Sequence, residues 1–175
     1  MTYDTVVIGA GLAGLTAALR LAEEGRRVLV VAKGVGSTHL SPATIDVLGF
    51  DDGAVERPAQ ALSSFAEAHP EHPYARLSME LIAASTEWLK TRLPTLGYRG
   101  GLEENFLLPT AVGAVKRSAL VPETMAGGDL RRGEEVQNQT PVIRTAVTTL
   151  ASIRPNALRI ATLSRYSGYT HATTH

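Results

Sequence analysis

The chain has 175 residues, a length that suits one domain and leaves little room for a second complete one. Hydrophobic residues make up 44% and charged residues 19%, which excludes a disordered or fibrous chain, and 17 basic residues balance 17 acidic ones, so no global field draws the protein to nucleic acid. Cysteine is absent; disulfides, thiolate metal sites, iron–sulfur ligation and cysteine nucleophiles are excluded together, and any redox chemistry must use a bound cofactor.

The charge balance hides an asymmetry. Met1 to Leu130 carries 15 acidic and 11 basic residues, whereas Arg131 to His175 carries 6 Arg, no Lys and 2 acids. That second stretch also holds 8 Thr and no acid after Glu135. Its composition sets it apart, and the expected division falls between 1–130 and an atypical tail over 131–175.

Near the amino terminus, Thr5 to Ala22 is long and mostly apolar. Asp4 precedes it, Arg20 lies inside it and glycines interrupt it, all of which oppose a signal peptide or membrane span. The expected location is cytoplasmic.

Thr5-Val6-Val7-Ile8 is a β-branched run bounded by glycine, as in a strand of a parallel sheet buried on both faces. Gly9-Ala10-Gly11-Leu12-Ala13-Gly14 follows, then Leu15, Ala18, Leu19 and Ala22 at helical spacing, with Gly25 just past the helix end. Gly9 makes the tight turn, Gly11 lets the backbone approach a pyrophosphate and Gly14 allows the helix to pack closely. Free N–H groups at the positive end of the helix, those of Leu12 and Ala13 among them, then face the phosphates. Val28-Leu29-Val30-Val31 reads as a second buried strand, completing a β-α-β unit. The strand-turn-helix context makes this glycine pattern a specific signal of dinucleotide binding.

The opening from Asp4 to Gly34 resembles the amino-terminal adenine-dinucleotide fold of flavoprotein oxidoreductases. The resemblance implies an α/β fold, a Rossmann-like FAD/NAD(P)-binding unit with a doubly wound parallel sheet. In most such proteins an acidic side chain ends the second strand and binds the ribose; here Ala32-Lys33 stands in that place, which disfavours ordinary NAD binding. Lys33 is a candidate phosphate contact or a solvated strand-end lysine.

Gly34 to Ala43 forms a small polar loop at the carboxyl edge of the sheet, where open α/β folds bind ligands. Ser37, Thr38 and Ser41 are candidate contacts to a flavin phosphate, and Ser41-Pro42 also has the form of a cap for a following helix. His39 reads as a hydrogen-bonded loop histidine rather than a base.

From this loop onward the resemblance narrows. The Gly-x-Ser-Thr-His-x-Ser loop, Ile45-Asp46-Val47-Leu48-Gly49, Ala68-His69-Pro70-Glu71-His72-Pro73-Tyr74, Leu108 to Ser118 and Val121-Pro122-Glu123-Thr124-Met125 are together similar to the B chain of anaerobic glycerol-3-phosphate dehydrogenase. That resemblance implies a flavin-bearing subunit, with FMN or FAD, in an oxidoreductase that converts glycerol 3-phosphate to dihydroxyacetone phosphate. It implies a catalytic companion flavoprotein subunit and a membrane-associated electron-transfer subunit leading to quinone, with this chain held at the inner face of the membrane through those partners. FMN is the flavin usually assigned to this chain of the enzyme.

Between Asp51 and Pro94 the pattern gives two helices, a short one marked by Leu62, Phe65 and Ala66 and an amphipathic one marked by Leu77, Leu81, Ile82, Ser85, Trp88, Leu89 and Leu93, stopped by Pro94. Trp88 is expected to anchor the core. His69, His72 and Tyr74 lie among prolines at a spacing that does not form a helical metal pair. Asn105 to Val121 reads as short strands around Gly113, and Lys116-Arg117 as a solvated strand end or a phosphate contact.

After Leu130 the further parallel strands and second cofactor contact that the resemblance implies do not follow. The expectation is an incomplete, truncated member whose tail is frameshifted or disordered, the alternative being a short variant whose tail folds or binds a partner. Two functions stand: a flavin-binding oxidoreductase subunit, with no catalytic acid or base and no metal site named, or a non-catalytic nucleotide-binding or partner-docking fragment.

Overall fold

A computed structural model describes residues 2–34, 36–132, 158–166 and 169–174. The first elements are β1 (Thr5–Ile8), α1 (Leu12–Glu23), β2 (Val28–Ala32) and a 3-10 turn over Ser37–Leu40. Next come β3 (Phe50–Asp51), β4 (Gly53–Ala54), α2 (Pro58–Ala68), α3 (Met79–Arg92), β5 (Arg99–Gly100), β6 (Phe106–Pro109), β7 (Val115–Ser118), β8 (Leu120–Val121) and α4 (Glu123–Ala126). Strands β9 (Leu158–Tyr166) and β10 (Tyr169–Thr174) close the order. The chain divides into unit 1, residues 1–41 with 143–175, and unit 2, residues 42–142.

Unit 1 is a four-stranded sheet in the order β1-β2-β9-β10. The first three strands run parallel, Thr5 opposite Val28 and Val28 opposite Leu158, and β10 returns antiparallel to β9. α1 joins β1 to β2 as the sequence pattern requires, and Gly25, at φ 80°, follows its end in the left-handed conformation that glycine adopts without cost. Ala18, Val28, Val30 and Ala32 form the core beneath α1, with Val7 and Leu15 packed against it. Asp4 clasps the unit at the base: its Oδ2 accepts from the Arg27 N–H at 2.8 Å and its Oδ1 from the Arg27 guanidinium at 3.0 Å.

Burial on both faces of the strands is not what the structure has. Val6 is 55% and Ile8 87% exposed, and β2 alternates between buried and partly buried positions. The reason is coverage: among the described residues of unit 1, α1 is the one α-helix, and it packs against the face that carries Val7, Val28 and Val30. The stretch beyond residue 130, set apart on composition, contributes β9 and β10 to this sheet; residues 133–157 lie outside the described ones.

Unit 2 has two apolar clusters. Leu48, Val55, Leu62, Ile82, Leu102 and Ala119 form the larger, between α2, α3 and the segments beside them. Phe106, Leu108 and Val121 form the smaller, covered by Met125 and Ala126. Ser78 caps α3 by accepting the Leu81 N–H at 3.2 Å, and α3 ends at Arg92, two residues before Pro94. The helix is turned slightly from the expected stripe: Ile82 and Thr86 are its buried residues, Leu81 is 52% exposed and Trp88 is half-buried. Thr86 is tolerated inside because its hydroxyl donates back to the Ala83 carbonyl at 2.8 Å.

β6 and β7 make the hairpin expected around Gly113, with Phe106 opposite Ser118 and Gly113 at φ 79° in the turn. No helix begins at Ser41-Pro42. Instead Ile45 bridges to Leu120, its N–H donating to the Leu120 carbonyl at 2.9 Å, so the chain at Ile45 is held in a β bridge rather than a helix. Asp129 and Arg131 lock onto the β6 hairpin: the buried Asp129 carboxylate accepts from the Leu107 N–H at 3.2 Å and from Arg131 Nε at 3.0 Å, while Arg131 also pairs with Glu104 at 2.6 Å and lies over the Phe106 ring.

Candidate functional site

The candidate site is the carboxyl end of β1 and the start of α1, in unit 1. Gly9 turns the chain at φ 108°, a conformation open to glycine, and its N–H donates to the Val31 carbonyl at 2.8 Å, tying the turn to β2. Gly11 is the residue before α1, and the Leu15 N–H donates to its carbonyl at 3.0 Å, closing the first turn. No side chain caps this helix and its first turn carries no acid, so the N–H groups of Leu12 and Ala13 stand at an uncompensated positive end.

Two close approaches shape the turn. A Cβ on Gly14 would lie well inside van der Waals contact of the Gly9 carbonyl oxygen, so α1 sits on the turn at a distance only glycine permits. A Cβ on Gly36, where φ is 72°, would lie 2.6 Å from the Ala10 carbonyl oxygen, which places the loop after β2 directly against the glycine turn. A Cβ on Gly11, by contrast, would meet no atom within 4 Å. Open space therefore lies over Gly11, beside the free N–H groups.

The loop after β2 supplies the polar side. Ser37 and Thr38 open the 3-10 turn, and Thr38 Oγ1 is buried with no hydrogen-bond partner. A shielded hydroxyl without a partner is uncommon, and an ordered water or a bound group can supply the missing bond. His39 Nδ1 donates to the Gly36 carbonyl at 2.7 Å, holding the turn; it is the loop histidine that the sequence suggests. Ser41 follows the turn, and Lys33 is exposed one residue beyond β2. The fold thus places Gly9, Gly11, Leu12, Ala13 and Gly14 at the helix start and Ser37 and Thr38 on the loop seated against Ala10. Gly36, which seats it, carries no motif signal beyond being a glycine in a polar loop.

Where a ribose-binding acid is usual, β2 ends in the buried Ala32. The donors here suit phosphate: free backbone N–H groups and hydroxyls, and the first turn of α1 carries no carboxylate to repel it. These features fit the phosphate of a flavin nucleotide.

His69 and His72 serve structure. His69 Nε2 lies 3.2 Å from Asp51 Oδ1, His72 Nδ1 accepts the Tyr74 N–H at 3.2 Å, and both rings pack on Phe65 at centroid distances of 4.4 and 4.9 Å. The Tyr74 hydroxyl donates to the Val47 carbonyl, and burial pushes its pKa up. Among the described residues no group of three or more His, Cys, Asp or Glu side chains is placed to hold a metal ion.

A β-α-β unit with an uncapped helix start over open space defines a nucleotide-binding protein of the α/β class. Residues 4–165 match the FAD binding domain family, and the chain belongs to that family, a flavin-binding one. It is similar to the B chain of anaerobic glycerol-3-phosphate dehydrogenase from Aliivibrio fischeri strain MJ11, at 36% identity over 127 residues, covering 69% of this chain and 28% of that protein. The corresponding chains of Pectobacterium carotovorum, at 36% over 126 residues (70% and 30%), and Yersinia pestis strain Antiqua, at 37% over 122 residues (66% and 28%), are similar too. The protein therefore spans under a third of the length of these curated relatives. Among solved structures, L-amino acid deaminase from Proteus myxofaciens in complex with anthranilate is similar at 15% identity and a TM-score of 0.33, covering 99% of this chain and 42% of that one, too distant a likeness to support an argument. Among the described residues no helix is long and apolar enough to cross a membrane.

Proposed function

We propose that this chain is a flavin-binding part of an oxidoreductase subunit of the glycerol-3-phosphate dehydrogenase type, one that oxidises glycerol 3-phosphate to dihydroxyacetone phosphate and passes electrons towards quinone. The observation that carries the reading is the unpartnered, buried Thr38 Oγ1 on a loop pressed against the glycine turn. In this reading the flavin, when bound, supplies the hydride and electron chemistry. The chain's own residues bind and orient it: Leu12 and Ala13 N–H groups take its phosphate, Gly11 leaves the approach open, Gly9 and Gly14 hold the turn, and Ser37, Thr38, Ser41 and Lys33 surround the phosphate end.

The cofactor in this reading is a flavin, FMN or FAD; the absence of a carboxylate at Ala32 removes one usual ribose contact without choosing between them. The companions in this reading are a catalytic flavoprotein subunit and a membrane-associated electron-transfer subunit, with the chain on the cytoplasmic side. A second reading is a non-catalytic nucleotide-binding or partner-docking fragment.

Purification followed by an absorbance spectrum and chromatography of heat-released flavin tests the cofactor. A yellow chain with near-stoichiometric FMN or FAD supports the reading; a colourless one that takes up no added flavin ends it. Thr38→Val sharpens the test, because it removes the unpaired hydroxyl and keeps the shape. Flavin affinity falls by about tenfold, the worth of one hydrogen bond to a charged group, while the flavin-free protein melts no lower. Turnover of glycerol 3-phosphate with an artificial acceptor, in the presence of both companion subunits, separates the two readings: zero rate in every combination leaves the docking fragment.

A further inference from the structure

Strand alternation sends Lys116 and Arg117 to opposite faces of the β6–β7 hairpin. On one face Lys116 Nζ donates to Thr44 Oγ1 at 2.7 Å and pairs with Asp46 Oδ2 at 3.0 Å, while Ser118, two residues on, donates to Asp46 Oδ1 at 2.6 Å. The positive charge on that face is matched. Arg117 has no such match. Its Nε is shut off from solvent without a hydrogen-bond partner, and among the described residues no ion pair includes its guanidinium.

The root of this side chain is built in. A Cβ on Gly49 would lie 3.0 Å from Arg117 Cβ and 3.2 Å from its carbonyl oxygen, so the chain at Gly49 lies against Arg117 more closely than nearly any other residue allows. On the same face Leu107 stands opposite Arg117 in register and Val115 precedes it by two, giving an apolar flank to a single unmatched cation. A guanidinium offers its donors as a planar fork, and one shielded donor with no acceptor is unfavourable until a ligand supplies one.

We propose that Arg117 anchors a carboxylate-binding site on unit 2. The charge count selects the class: one free positive charge, with Lys116 neutralised by Asp46, balances a singly charged planar oxyanion, and the fork geometry with Leu107 and Val115 beside it suits a carboxylate on an apolar stem. This inference goes beyond the flavin reading and does not depend on it.

The test follows the arginine Nε–H signals of the 15N-labelled full chain, with and without added FMN, as sodium butyrate is titrated against sodium chloride at equal ionic strength. The signal missing in Arg117→Lys is that of Arg117. A saturable shift of that signal with butyrate, weaker with inorganic phosphate, is the expected result. Arg117→Gln lowers butyrate affinity about tenfold or more, and Arg117→Lys, which keeps the charge and loses the fork, lowers it by less. A blocked glutamyl tripeptide run in parallel shows whether a protein side chain or a free acid is the better source. No saturable shift with any carboxylate, or tighter binding of phosphate than of butyrate, overturns the proposal. Should Arg117→Gln fail to fold, the wild-type titration with the lysine variant decides alone.

Discussion

The carbonyl of Ala43 accepts a hydrogen bond of 2.6 Å from the hydroxyl of Tyr98, 55 residues further along unit 2. Ala43 sits at φ 62°, a conformation that costs a residue with a Cβ about 1 kcal/mol or more, so the bond fixes a strained position at the point where the loop after β2 leads towards the β bridge at Ile45. Burial pushes the Tyr98 hydroxyl up to about 12. Tyr98→Phe is expected to cost about 1 to 2 kcal/mol by leaving the carbonyl unpaired, and Ala43→Gly to gain about 0.5 to 1 kcal/mol by removing the strain. The folded pKa lies above that of an unfolded tyrosine, so the stability it confers is complete below pH about 10 and is lost as the pH rises towards 12. Alkaline difference absorbance, in which the wild type shows one late-titrating tyrosine more than Tyr98→Phe, checks this.

Two glycines of the turn separate folding from binding. Gly14→Ala drives a methyl group into the Gly9 carbonyl, and the variant is expected to lose about 3 kcal/mol and its flavin uptake together. Gly11→Ala has open space for its methyl, so its stability stays within about 0.5 kcal/mol of wild type while flavin affinity drops about tenfold or more. Thermal melts and flavin fluorescence quenching on the two variants give the answer. Equal flavin binding by Gly11→Ala and wild type would move the phosphate away from the α1 start.

Burial alone would raise the pKa of Asp129, but hydrogen bonds from Arg131 and from the backbone N–H groups of Leu107 and Arg131 outweigh it, and the net shift is downward. A depressed folded pKa means stability that is present above the unfolded value of about 4 and is lost as the pH falls through the folded one. Asp129→Asn is expected to cost about 3 kcal/mol at pH 7, since it breaks the pairing of a buried charge with Arg131. The gap between variant and wild type narrows in acid. Urea midpoints at neutral pH and near pH 3 measure it.

Asn105 is buried and spans two segments: its Nδ2 donates to the carbonyls of Leu48 at 2.8 Å and Val55 at 2.9 Å. Asn105→Ala strands both carbonyls inside the larger cluster and is expected to lower stability by about 2 kcal/mol, read as a lower urea midpoint with an unchanged slope.

What the amino-acid order revealed, and what it hid, follows from the range of the interactions. Gly9, Gly11 and Gly14 were legible because a tight turn and a close helix approach each demand glycine at a fixed offset from the strand. Pro94 and Gly25 likewise mark helix ends by local chemistry alone. Ser41-Pro42 carries the same kind of local signal for a helix start, yet the bonds between Ile45 and Leu120 hold Ile45 in a β bridge, a contact 75 residues distant that no local pattern encodes. Asn105 and Asp129 carry no periodic signal, since an isolated polar residue reads as surface until its partners are known. The α3 stripe was legible in period but not in phase: Leu81 and Ile82 are adjacent and equally apolar, and only the packing with Leu62 and Val55 decides that Ile82 turns inward.

The parallel pairing of Val28–Ala32 with Leu158–Thr162 has a kinetic consequence. β1, α1 and β2 assemble from neighbouring residues, whereas the partner on the other edge of β2 leaves the ribosome about 130 residues later, and closing a loop of that length costs several kcal/mol of chain entropy. During synthesis β2 therefore waits with its outer edge unpaired and rich in valine. The interval is one in which a foreign strand can take the place of β9, and variants that slow the arrival of residues 158–162 are expected to aggregate in the cell rather than melt early in the test tube.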